Sequence, residues 1–168
     1  MFFLDLTWGT KPYLLTEMDN NLGAVTRVGY ASSTEYFLSD QGKPQSRWQT
    51  HLPFPVLVVS RVEVIDAISG GKLTTEYTYH HGHWDGGERE FRGFGTVEQY
   101  DSESFADYNM PGLHGEDVTF NKVVADDHFS PPTLTKTWFH QGAIGPKHGG
   151  WRVNKYSHEY WHGDPQRL

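Results

Sequence analysis

Residues 79–95 read YHHGHWDGGEREFRGFG and hold three histidines, three carboxylates, two arginines, four aromatic rings and five glycines. The stretch supports two readings, a chemical site or the fittings of a β-sheet. Its flanks favour the sheet. LTTEYTYHH (73–81) alternates so that Thr75, Tyr77 and Tyr79 share one face. FRGFGTVEQYD (91–101) reads as a further strand. Within it, Gly93 and Gly95 mark a bulge or an aromatic ring lying across the backbone, bracketed by Phe91 and Phe94. GHWDGGERE (82–90) between them reads as a loop, with Gly82, Gly86 and Gly87 allowing a sharp turn.

The chemical readings are weaker. His80, His81, His83 and Asp85 are ligand types that zinc accepts. On a regular strand, however, His81 and His83 share a face and His80 points away, and an HxH pair is a weak signal beside histidines that edge a loop. Such imidazoles could charge together at acidic pH, but the plainer expectation is solvated loop residues. Glu88 and Glu90 would need a sugar-sized cleft between them to act as a glycosidase pair. Their alternation with Arg89 and Arg92 suits ion pairs on a wet sheet face better. Trp84, Tyr79 and Trp138 could stack on a ligand, yet strand aromatics usually pack within the sheet. GxSxG, GxGxxG and P-loop motifs are absent from the sequence. No catalytic, cofactor-binding or metal-ligating residue is assigned.

Working outward, VLVVSRVEVIDAI (56–68) is the strongest strand signal, and SGGK (69–72) turns it back as a long antiparallel hairpin with 73–81. KPYLLTEMDNNLGAVTRVGYASSTEYFL (11–38) reads as strand, turn, strand, with Asn20, Asn21 and Gly23 in the turn. QGKPQSRWQTHLPFP (41–55) is a loop punctuated by three prolines. Residues 102–127 are polar and irregular, with at most a short strand over 118–124. PPTLTKTWFHQGA (131–143) is another strand, and IGPKHGG (144–150) a loop. WRVNKYSHEYW (151–161) has a helical face of Trp151, Lys155 and His158.

The expected fold class is therefore all-β: antiparallel hairpins forming part of a large curved sheet, with a possible short helix near the C-terminus. The organisation expected is one fragment of a larger β-shell over 1–168. It divides into strand-rich hairpins over 1–101, an irregular insertion over 102–128, and a strand plus short helix over 129–168. Bulk composition agrees: 15% aromatic residues, 18 glycines and 9 prolines suit turn-rich β-structure. A formal charge of −7 disfavours nucleic acid and anionic membranes as partners. The absence of cysteine excludes disulfides and thiolate metal sites. No apolar run is long enough to span a bilayer, and MFFLDLTWGTK lacks the basic region of a signal peptide.

Six stretches in this order carry a family resemblance: KPYLLTEMDNNLGA, YASSTEYFL, WQTHLPFPVLVVSRVEVID, YHHGHWDGGEREFRGFGTVEQYD, PPTLTKTWFHQGA and EYWHGDPQ. Together they closely resemble the middle region of the B component of bacterial insecticidal toxin complexes (Tc toxins, TcdB/TcaC-like, related to SpvB and Rhs proteins). The resemblance implies a structural shell segment that helps enclose and deliver a toxic cargo polypeptide, and no enzyme. The partners it implies are the remainder of the B component, an Rhs-repeat C component carrying the toxic segment and, indirectly, the A-component channel. It implies no cofactor, no direct membrane insertion and a secreted location, and it carries no catalytic residue to any position here. In such a shell, the pairs Phe91/Gly93 and Phe94/Gly95 would set sheet curvature. Two rival readings stand beside it. One is an independent carbohydrate-binding β-module. The other is a metal-dependent hydrolase using His81, His83 and Asp85.

Overall fold

The computed structural model describes residues 11–44, 46–66, 71–101, 132–144 and 152–159. Six strands form one antiparallel sheet in sequential order: β1 (Glu17–Asp19), β2 (Ala24–Ser32), β3 (Leu57–Asp66), β4 (Gly71–Asp85), β5 (Glu90–Asp101) and β6 (Thr133–Trp138). A separate two-stranded piece pairs β7 (Ala143–Ile144) with β8 (Arg152–Val153). The sheet is open, with β1 and β6 as its edges among the described residues. This is the expected all-β architecture. The short helix near the C-terminus is a single 3-10 turn, Ser157–Glu159, directly after β8. The insertion over 102–127 and its candidate strand lie outside the described residues.

The first turn forms as its residues dictate. Asn20 Oδ1 accepts from the amides of Leu22 and Ala24 at 2.7 and 2.9 Å, and Asn21 and Gly23 take positive φ of 56° and 100°. The strand expected to run on through STEYFL is instead a helix, α1 (Ser33–Gln41). Its cause is local. Ser32 accepts from Thr34 N, and Glu35 reaches back to Ser32 N, so S-x-x-E closes a capping box.

A second difference concerns β4, which does not end at residue 81. It runs to Asp85, so His83 and Trp84 lie in a strand and not in a loop. Beyond the Arg61↔Glu76 pair, β3 and β4 part. Residues 57–59 of β3 pair with β2, while residues 77–85 of β4 belong to the ladder with β5. Side chains fill the gap. Tyr79 Oη donates to Val59 O at 2.8 Å and Tyr36 Oη to Tyr77 O at 3.1 Å. Further along, the loop after α1 covers the freed edge: Thr50 Oγ1 donates to Gly82 O, and Trp84 N to His51 O. Burial pushes the Tyr79 phenol up to about 12, so its hydroxyl stays a donor at neutral pH.

Apolar burial is sparse. Val58, Ile65 and Tyr156 are the buried hydrophobic residues among those described, against nine buried polar ones that include Asp40, His81, His83 and Gln141. An ordinary domain core inverts that ratio.

Candidate functional site

The hairpin joining β4 to β5 shows what each letter of residues 79–95 does. Asp85 Oδ1 accepts from the amides of Gly87 and Glu88 at 2.9 and 3.2 Å and closes the turn, while Arg89 takes φ 56°. Those amide bonds, that of Glu88 foremost, hold the Asp85 carboxyl below its ordinary value. The ladder shifts register between Gly82 and Trp84. One residue on β4, His83, faces two on β5, Arg92 and Gly93, and Gly93 sits there at φ +76°. This is a bulge built on a left-handed glycine.

Two further glycines, Gly82 and Gly95, act by lacking a side chain. A Cβ on Gly82 would lie 2.8 Å from Trp48 and 2.9 Å from Leu52, so Gly82 is a packing position in mid-strand and not part of the turn. A Cβ on Gly95 would collide with the phenol ring of Tyr156. The ring across the backbone thus comes from residue 156, and not from the neighbouring phenylalanines.

The histidines are not solvated loop residues. His81 is 1% and His83 8% exposed. Alternation also fails locally, because His81 adopts φ 58°, outside the strand region. As a result His80 and His81 border the same groove. His80 Nδ1 lies 2.6 Å from Asp40 Oδ2, and Trp48 Nε1 donates to that oxygen at 2.8 Å. His81 Nδ1 accepts from Gln49 N, so its Nε2 carries the proton directed at Glu159 Oε1, 2.6 Å away. His83 stands apart, with neither ring nitrogen hydrogen-bonded among the described residues.

Glu159 and Gln141 organise the site, and sequence reading picked out neither. Glu159 also accepts from Trp138 Nε1 at 3.0 Å and Thr96 Oγ1 at 3.1 Å. Burial alone would raise its carboxyl, but the bonds from His81, Trp138 and Thr96 outweigh it and hold the group at about 2. Gln141 Nε2 donates to His81 O and Gly93 O at 2.7 and 3.1 Å. Its Oε1 accepts from Tyr156 Oη and Asn154 Nδ2 at 2.6 and 3.0 Å. Tyr156 in turn stacks on His81, with ring centroids 4.7 Å apart. Glu159 and Gln141 lie 60 or more residues from His81 along the chain, which leaves no local signal to find them by.

Between α1 and strands β4–β6 lies a groove of about 990 Å³, bounded by residues such as Tyr36, His80, Glu98, Lys136 and Glu159. Its charges are largely paired: Lys136 meets Glu98 at 2.5 Å, His80 meets Asp40, and three donors meet Glu159. Such an arrangement clamps α1 and the 157–159 turn onto the sheet.

The residues weighed for chemistry do not converge. Both nitrogens of His81 are engaged, and among the described residues no three His, Asp or Glu side chains gather to hold a metal ion. Glu88 is exposed, while Glu90 and Asp85 both pair with Arg92 at 3.3 Å. The three aromatics are used separately. Trp84 packs on Phe54 (5.0 Å), Tyr79 on Phe94 (4.9 Å), and Trp138 serves Glu159. No helix among the described residues is long and apolar enough to cross a membrane.

Comparison with known proteins then gives a consistent match. The family model for the insecticide toxin TcdB middle/N-terminal region matches residues 3–110. The crystal structure of TcdB2-TccC3-Cdc42 is 37% identical over 78% of this chain, with a TM-score of 0.61. TcdB2-TccC3 without its hypervariable C-terminal region is 38% identical over 78%, with a TM-score of 0.59. The Tc holotoxin pore of Photorhabdus luminescens is 36% identical over 77%, with a TM-score of 0.60. The chain spans 6%, 6% and 5% of those three chains. No curated protein matches it.

Proposed function

The chain belongs to the family of the insecticide toxin TcdB middle/N-terminal region, and from that premise we propose that it is a wall segment of a toxin-complex B component. In this reading its task is enclosure. A continuous curved sheet, of which this chain is one part, separates a toxic polypeptide from solvent until delivery. Its partners are the rest of the B component, the C component that carries the cargo and, indirectly, the A-component channel. The assembly works outside the producing cell, and the segment is scaffold without catalytic duty.

The observation that carries the reading is the 36–38% identity, over 77–78% of the chain, to structures of TcdB2-TccC3 and of a Tc holotoxin pore. Physical features support it. Among the described residues the sheet is open at β1 and β6, and only three hydrophobic residues are buried. Such a sheet gains by joining neighbours. The Gly93 bulge adds local twist, as curvature requires. The paired charges of the groove support a structural over a catalytic role.

The test is protection of cargo. A B component carrying this segment is assembled with its C component, and the cargo is exposed to protease. With Gly95→Trp in the segment, the cargo should become degradable while the intact assembly protects it. Full protection by a B component whose segment is shown to be unfolded would overturn the reading.

A further inference from the structure

His83 is the one histidine of residues 79–95 whose two ring nitrogens both lack a hydrogen-bond partner among the described residues, in a side chain that is 8% exposed. It sits on β4 opposite the bulge at Arg92–Gly93, where the ladder changes register. We infer that His83 is an acid trigger: uptake of a proton by its buried imidazole loosens the β4–β5 tip while β1–β3 stay in place. The inference goes beyond the wall reading and does not depend on it.

The charged groups that face His83 are Asp85 from its own strand and Arg92 from β5. Asp85 attracts an imidazolium, but its carboxylate is already committed. Oδ1 holds the Gly87 and Glu88 amides, and Oδ2 meets Arg92 at 3.3 Å. Arg92 repels the same charge. A protonated ring would therefore present two buried N–H donors without acceptors beside a guanidinium, an arrangement that favours opening. Burial pushes His83 below its ordinary value; Asp85, the second cause, opposes it, and Arg92 adds a smaller push in the same direction as burial. The sign follows from linkage. The closed tip binds fewer protons than the open one, so its stability is intact above pH 6.5 and falls as pH drops below that.

The tip is also the place where opening has consequences. Gln141 bridges His81 O and Gly93 O and holds Tyr156 through its Oε1. Loosening the ladder there weakens one tie of the 152–159 segment to the sheet and leaves the bonds of Glu159 to Thr96 and Trp138 as the other.

Amide hydrogen exchange on the 168-residue chain at pH 7.5 and pH 5, corrected for intrinsic rates, reads the event directly. The amides of Phe91 and Phe94 should open more often at pH 5, by up to about 30-fold, the limit set by an ordinary imidazole pKa of about 6.5 in the open state. The β2–β3 amides should not respond. His83→Phe keeps the ring volume without the titration and should abolish the acid response of the tip. An equal response in His83→Phe, or none in the wild type, overturns the inference. If that variant does not fold, NMR titration of the wild-type His83 ring decides. Proton uptake coincident with tip opening supports the trigger, and titration without opening overturns it.

Discussion

The β2–β3 ladder and the β4–β5 tip are built on opposite principles. In the first, nine partners run from Ala24↔Asp66 to Ser32↔Leu57 with one irregularity, and on its outer side Arg27 of β2 pairs at the surface with Glu17 of β1 at 2.9 Å. In the second, the ladder is bulged, three residues take left-handed φ, and buried polar groups tie it to residues far along the chain. The first region is redundant, since each rung resembles the next. The second depends on single side chains that bond several partners at once. The difference teaches where damage should be expensive.

The comparison can be broken most decisively at Gly95. Gly95→Val places a side chain inside the Tyr156 ring position, and a loss of about 3 kcal/mol is expected from overpacking and release of the 152–159 segment. Denaturant unfolding measures it, and a loss below 1 kcal/mol would mean the segment is not essential to the tip.

Next in size is Glu159→Gln. The carboxyl is held at about 2 in the folded chain against 4.5 unfolded, so its contribution is complete above pH 4.5 and vanishes as pH falls towards 2. At neutral pH the variant should lose on the order of 2 kcal/mol. Its stability profile between pH 4.5 and 2 should also be flatter than that of the wild type, as read from unfolding midpoints across that range.

Gly93→Ala should cost about 1 kcal/mol. The position is left-handed at φ +76°, but no atom lies within 4 Å of an added Cβ. Gly93→Asn, which tolerates that φ, should recover part of the loss in the same assay, whereas a crowding penalty would make Asn worse. At the far end of the scale, Arg27→Ala in the regular ladder should change stability by less than about 0.5 kcal/mol, since its ion pair is solvent-exposed. A larger effect there would erase the contrast between the regions.

The same contrast separates what could be read from sequence. The ladder was legible because alternation in 57–66 and turn residues at 20–23 are short-range signals. Strands β5 and β6 were legible for the same reason. Helix α1 announced itself through Ser32 and Glu35, but β-branched and aromatic neighbours drew the segment into a strand reading. The histidine faces could not be derived from parity, because one left-handed residue, His81, resets it. The clamp was beyond reach. Asp40, Gln141, Tyr156 and Glu159 become neighbours of β4 only once the sheet exists, and nothing in their local sequence marks them.

The parting of β3 and β4 has a mechanical consequence. Six residue pairs join these strands, against nine between β2 and β3 and nine between β4 and β5. The sheet is in effect two stiff plates sharing a short seam, with the Tyr79 hydroxyl as a stitch to Val59 at its open end. Load applied across the strands should concentrate at the Arg61↔Glu76 pair, where the seam stops. In a pulling experiment this chain should tear from that point, as two intact halves, before either plate unravels.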